Sequence, residues 1–70
     1  MKIVSHTIRQ TAIVRTNDPV DLDDIHDVVA FVGMVAIEVS GDCHAMMDIM
    51  KPTARRLADG LYEVLWEWEV

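Results

Sequence analysis

The segment from Leu61 to Val70 alternates between two kinds of residue. Tyr62, Val64, Trp66, Trp68 and Val70 share one parity and are all apolar or aromatic. Leu61, Glu63, Leu65, Glu67 and Glu69 share the other, and three of these are acidic. Successive side chains of a strand point to opposite faces, so this pattern predicts a half-buried strand with a core face and a wet face. Leu61, Val64, Leu65 and Trp68 also match a helical stripe. A helix, however, would stack Asp59, Glu63 and Glu67 as like charges one turn apart. Asp59-Gly60 upstream is a turn dipeptide of the type that joins hairpin strands. With those two residues as the turn, Ala58 faces Leu61, Leu57 faces Tyr62 and Arg56 faces Glu63.

The same reading extends to the rest of the chain. Residues 2–16 are rich in Ile, Val and Thr and lack Gly and Pro, which predicts a long strand. Val4, Ile8, Ala12 and Val14 share one parity, interrupted by His6 and Gln10. Asn17-Asp18-Pro19 marks a turn. A helix is expected over residues 21–33, with Asp21 as its N-cap, Asp24 at N3, and Val20 and Ile25 as a hydrophobic staple. Leu22, Ile25, Val29 and Val32 would form its inward stripe, and Gly33 its stop. Met34–Ser40 alternates Val35, Ile37 and Val39 against the rest and is expected to be a strand. Cys43, Met46, Met47 and Met50 lie at helical spacing, which predicts a short second helix over 43–51, capped by Asp42 and ended by Pro52. Residues 53–58 are then the strand that pairs with Leu61–Val70. The expected class is α+β: a small single domain over residues 1–70 with a mostly antiparallel sheet. Its elements run strand, helix, strand, short helix and C-terminal hairpin, with the helices on the Tyr62/Val64/Trp66/Trp68 face.

Composition narrows the functions such a domain can support. With 70 residues the core is small and the stability modest. The single cysteine, Cys43, allows no internal disulfide and no cysteine-rich metal motif. Twelve acids against six bases give a net charge of −6. That sign repels phosphate backbones and disfavours direct nucleic-acid binding. Arg9 and Gln10 interrupt any secretory-type apolar run, and the apolar run from Val28 to Ile37 is short of the roughly 20 residues a membrane helix needs. A cytoplasmic location without membrane contact is expected. The charge is unevenly placed. No Lys or Arg occurs between Thr16 and Met50, whereas Asp18, Asp21, Asp23, Asp24, Asp27, Glu38, Asp42 and Asp48 all do.

The candidate chemistry is sparse. There is no Gly-rich phosphate loop, no nucleophile elbow and no H-x-x-x-H or C-x-x-C pair, so neither catalysis nor a cofactor is expected. The acids from Asp18 to Asp27 lack the central Gly and terminal Glu of a calcium loop and suit a helix start instead. On a helix, Cys43 would point inward as a small hydrophobe while His44 and Asp48 point outward, so no metal site is expected there.

The expected function is stoichiometric protein binding, as an inhibitor or adaptor. Asp23, Asp27, Glu63, Glu67 and Glu69 would meet a basic surface on another protein, one that normally holds nucleic acid, with Trp68 as an anchor. In type, a small acidic domain without an active-site motif is similar to phage-encoded inhibitors of host machinery, anti-CRISPR proteins among them. Two alternatives stand beside this. One is a small-ligand or metal-binding domain using Cys43, His44 and His26. The other is a homo-oligomeric subunit such as a homodimer, in which the Glu-bearing strand or the tryptophans bury against a copy.

Overall fold

The computed structural model describes residues 1–69. Val70, the last expected inward position, lies outside the described residues. Strand β1 (Thr7–Arg15) is followed by helix α1 (Ile25–Ser40), helix α2 (Ala45–Asp48), strand β2 (Met50–Ala58) and strand β3 (Leu61–Glu69). The sheet is antiparallel with order β1-β3-β2, which puts the aromatic-rich C-terminal strand in the centre. The class is therefore α+β, with the helices on one face of a three-stranded antiparallel sheet.

The alternation in β3 decides how the layers meet. Tyr62, Val64 and Trp66 are buried and Trp68 is half-buried, on the face toward the helices. Val28, Val32 and Ala36 of α1, spaced four apart, close over them together with Ala45 of α2. Phe31 meets the Tyr62 ring edge-on at 5.4 Å, and Trp66 meets Trp68 edge-on at 5.9 Å. These edge contacts suit the aromatic quadrupole and add to the burial itself. Helix α1 packs on β2 and β3 and makes few contacts with β1.

The boundaries depart from the sequence reading at several places. Met34–Ser40, read as a strand, is the second half of α1. Its alternating Val35, Ile37 and Val39 match the strand period and do not share one helix face. The helix prevails because Val28, Val32 and Ala36 extend one buried stripe across Gly33. The stripe expected from Ile25 and Val29 is wrong, since Ile25 is 63% exposed and Val29 is exposed as well. The N-cap is Asp24, whose carboxylate accepts from the His26 N–H at 2.9 Å, three residues later than expected. Gly33 does not stop the helix. It is buried where α2 crosses, and a Cβ there would lie 2.6 Å from Met46 Cγ. Gly41 is the true terminus, with φ 71° and its N–H on the Ile37 carbonyl at 2.8 Å.

Helix α2 is a single turn, so the expected Met face is not core. Met46 is half-buried against Gly33, while Met47 and Met50 are exposed. Pro52 lies within edge strand β2, where a missing N–H is tolerated. In the hairpin, Ala58 pairs with Leu61 as expected. A shift between Arg56 and Ala58 then skips Leu57, so Arg56 meets Tyr62 and Arg55 meets Glu63. Arg56 stands 5.8 Å over the Tyr62 ring.

Candidate functional site: two charged faces

The residues singled out for partner binding fall on opposite sides of the sheet. Asp23 and Asp27 belong to the start of α1. Glu63, Glu67 and Glu69 belong to the face of β3 turned away from the helices. Trp68 is on the helix side, half-buried beside Trp66.

The open sheet face is charge-balanced. Its register sets Arg9 opposite Glu67 and Arg55 opposite Glu63. Arg9 Nη2 is 3.8 Å and Lys51 Nζ 3.3 Å from the Glu67 carboxylate, and Arg55 Nε donates to Glu63 at 2.8 Å. Only 17% of the Glu67 side chain and 26% of the Glu63 side chain are exposed. Those two carboxylates are thus satisfied within the chain and half-covered by their partners, which leaves Glu69 as the exposed acid of the set.

The start of α1 differs. Here the acids bind backbone N–H groups, not cations. Asp27 accepts from the Asp21 N–H at 2.6 Å, Asp21 from the Asp23 N–H at 3.0 Å, and Asp24 caps the helix. These bonds fold residues 21–27 into a compact turn and complement the positive end of the helix dipole. Among the described residues, no Lys or Arg nitrogen comes within 4 Å of any acid between Asp18 and Asp48. Asp18 and Asp23 are exposed, and their carboxylates accept no hydrogen bond from the described residues. This acidic corner borders a groove of ≈ 420 Å³ between α1 and β1, lined by Val14, Phe31 and Met34 and by the charged residues Arg15, Asp18 and Asp27.

The histidines and the cysteine are distributed in a way the sequence did not reveal. Cys43 is exposed in the turn between the helices, so it is not the buried hydrophobe expected. Its Sγ is 3.5 Å from His44 Nδ1, which is itself 3.5 Å from Asp42 Oδ1. His26 belongs to the other end of α1, a 16-residue helix about 24 Å long, so it does not join them. The turn geometry that gathers residues 42–44 comes from the Gly41 terminus. A helix beginning at residue 43 would have pointed these side chains apart.

No helix of the described residues is long and apolar enough to cross a membrane. Fold and site define a small α+β domain with an uncompensated acidic corner. Comparison with protein-family models, curated proteins and solved structures finds no match.

Proposed function

We propose that the chain is a stoichiometric protein-binding module, an inhibitor or adaptor that docks its acidic α1 corner on a basic surface of another protein. The observation that carries this reading is the contrast between the two faces. Glu63 and Glu67 are paired with neighbouring cations, whereas at the α1 corner Asp21, Asp24 and Asp27 bind backbone N–H groups and Asp18 and Asp23 are exposed without an ion pair among the described residues. A concentrated negative field steers encounters with a basic patch and fixes orientation. Basic surfaces bind the phosphate backbone of nucleic acid, and occlusion of such a surface is the mechanism proposed. At the level of protein type, this is how a phage-encoded inhibitor such as an anti-CRISPR protein would act.

The test follows from which acids are free. Asp27 and Asp24 hold the local fold, so the informative charge reversal is Asp18→Lys with Asp23→Lys. A pull-down from host lysate with the wild type should recover one protein in near-stoichiometric amount at low salt. The double variant should lose it, and Glu67→Gln with Glu69→Gln should keep it. An empty pull-down, or capture equal in all three, refutes the acidic-corner mechanism.

The metal-binding alternative keeps one supporting observation. The donor atoms of Asp42, Cys43 and His44 lie within 4.8 Å of one another, and the two 3.5 Å separations match the edges of a tetrahedral zinc site, about 3.5 Å from ordinary zinc–ligand lengths. A zinc titration that shows no uptake removes it.

A further inference from the structure

The two edges of this sheet are not equivalent. Edge β2 carries the usual protections: Pro52, a positive φ of 51° at Lys51, and register shifts on both sides of its centre. Edge β1 carries none. Its nine residues pair with β3 from Thr7↔Glu69 to Arg15↔Leu61 without a shift, and it contains no Pro or Gly. Among the described residues no strand pairs with its outer row of backbone N–H and C=O groups, and on its helix side Ala12 and Val14 pack against the core while Ile8 is left open. Ile8 is 42% exposed beside Trp68, on a groove of ≈ 700 Å³ that also involves Met47 and Met50. A monomer of 7.9 kDa has about 4,400 Å² of accessible surface. This chain exposes 5232 Å². The excess of about 800 Å² includes the exposed tail of residues 1–6, with Met1 at 118% and Val4 at 88%, as well as edge β1.

We infer that β1 pairs with β1 of a second copy, antiparallel, across a two-fold axis at Thr11, to give a continuous six-stranded sheet with both helical layers on the same side. The sequence of β1 is complementary to itself in this register. Ile8 faces the second copy's Val14 and Gln10 faces its Ala12 on the helix side. Thr7 faces its Arg15, Arg9 its Ile13, and Thr11 its Thr11 on the open side. No arginine directly opposes an arginine, and the exposed Ile8 and Ile13 each gain a cross-strand neighbour. Beyond the strand, the same register carries the exposed tail Met1–His6 past residues 16–21 of the second copy. Lys2 then approaches Asp18 and Asp21, acids that form no ion pair among the described residues. This interface differs from both sequence-based expectations for a dimer: β3, which bears the glutamates, is central and has no free edge, and Trp66 is fully buried.

Sedimentation of the wild type at about 100 µM should give twice 7.9 kDa, falling toward the monomer on dilution. Thr11→Lys places two ammonium groups face to face on an exposed position and should weaken the dimer at least roughly tenfold. Mixing Thr11→Lys with Thr11→Glu should restore a mixed dimer. In a Cys43→Ser background, Thr11→Cys should form an intermolecular disulfide on mild oxidation. Cα atoms directly opposed across an antiparallel pair are about 4.5–5.5 Å apart, within disulfide reach. Arg55→Cys on β2 should not cross-link. A wild type that stays monomeric overturns the inference. So does a dimer indifferent to Thr11→Lys, or cross-linking that is equal at Thr11 and Arg55. The cross-linking arm decides the matter even if the lysine variant fails to fold.

Discussion

Gly33 offers the sharpest check on the packing of α1. In the structure it is mid-helix and buried, and its missing Cβ is what lets Met46 approach. Replacing a mid-helix Gly with Ala normally stabilises by about 0.8–1 kcal/mol. Here the new Cβ would meet Met46 Cγ at 2.6 Å, Cε at 3.0 Å and Cβ at 3.2 Å. The tip of a methionine can move, but its Cβ is fixed to the backbone of α2, so the helix must shift. Overpacking of that kind costs about 1–3 kcal/mol. The net expectation for Gly33→Ala is destabilisation of about 1 kcal/mol, a fall in Tm of roughly 4–8 °C for a domain this small. In a Met46→Ala background the Cγ and Cε contacts are gone and only the 3.2 Å contact to Cβ remains, so the same change should be close to neutral or stabilise by up to about 0.5 kcal/mol. The coupling between the two sites is then on the order of 1 kcal/mol. Urea unfolding followed by the emission of Trp66 and Trp68 measures all four corners of the cycle. Equal effects of Gly33→Ala in both backgrounds would refute the reasoning. That is what a helix stop at Gly33 predicts, because the cost there would be a backbone cost blind to Met46.

Three further outcomes follow from particular contacts. Asp24→Ala removes the N-cap bond to His26 and should cost about 1 kcal/mol in denaturant unfolding, whereas Asp21→Ala, the N-cap expected from sequence, should cost less. Gln10 Oε1 and Trp66 Nε1 are both buried without partners on residues that face each other across β1 and β3. Gln10→Leu removes one orphan acceptor and should stabilise by about 1 kcal/mol; a loss of stability instead would show that these two groups bond to each other in solution. Cys43 is exposed and should react with a thiol reagent in the native protein about as fast as in urea, and strong protection in the native state would contradict its placement.

The parts of the fold legible in the sequence are those where independent signals choose between two periods. In β3, aromatic residues alternate with glutamates over a full strand, and no helix accommodates that series without stacking like charges. The side on which the helices lie follows from the same alternation, whereas the central position of β3 does not, because alternation is the same for an edge and a central strand. The rest failed where two periods coexist. Val35, Ile37 and Val39 alternate, but they also lie on a helix whose buried residues are Val28, Val32 and Ala36. Small residues decide that ambiguity. Ala36 and Ala45 are buried because another element approaches closely, a property of the partner surface that no local window contains. Gly33 misleads for the same reason, since closeness to Met46 and a helix stop both call for glycine. The hairpin register slipped by one because a bulge at Leu57 leaves no composition signal of its own.

The charge pattern was visible as a count, but its meaning was not. Acids from both halves of the chain looked equivalent in sequence, and only tertiary pairing separates them. Arg9, Lys51 and Arg55 reach Glu63 and Glu67 because β1 and β2 flank β3 on the open face. At the α1 corner β1 brings only Arg15, which lines the same groove as Asp18 and Asp27 without forming an ion pair among the described residues. Among the described residues, Lys2 in the exposed tail likewise forms no ion pair. An acidic corner and a basic tail that do not pair inside one molecule can meet between two, and β1 pairing places them side by side. The two proposed surfaces therefore compete for some of the same carboxylates. In a dimer, Asp18 and Asp21 are partly screened by Lys2, while Asp23, further along the turn, stays free for an outside partner. If both proposals hold, Lys2→Ala should weaken self-association and strengthen capture of the basic partner. The two effects are separately measurable by sedimentation and by pull-down. A loss of both together would mean that the dimer is the binding-competent form.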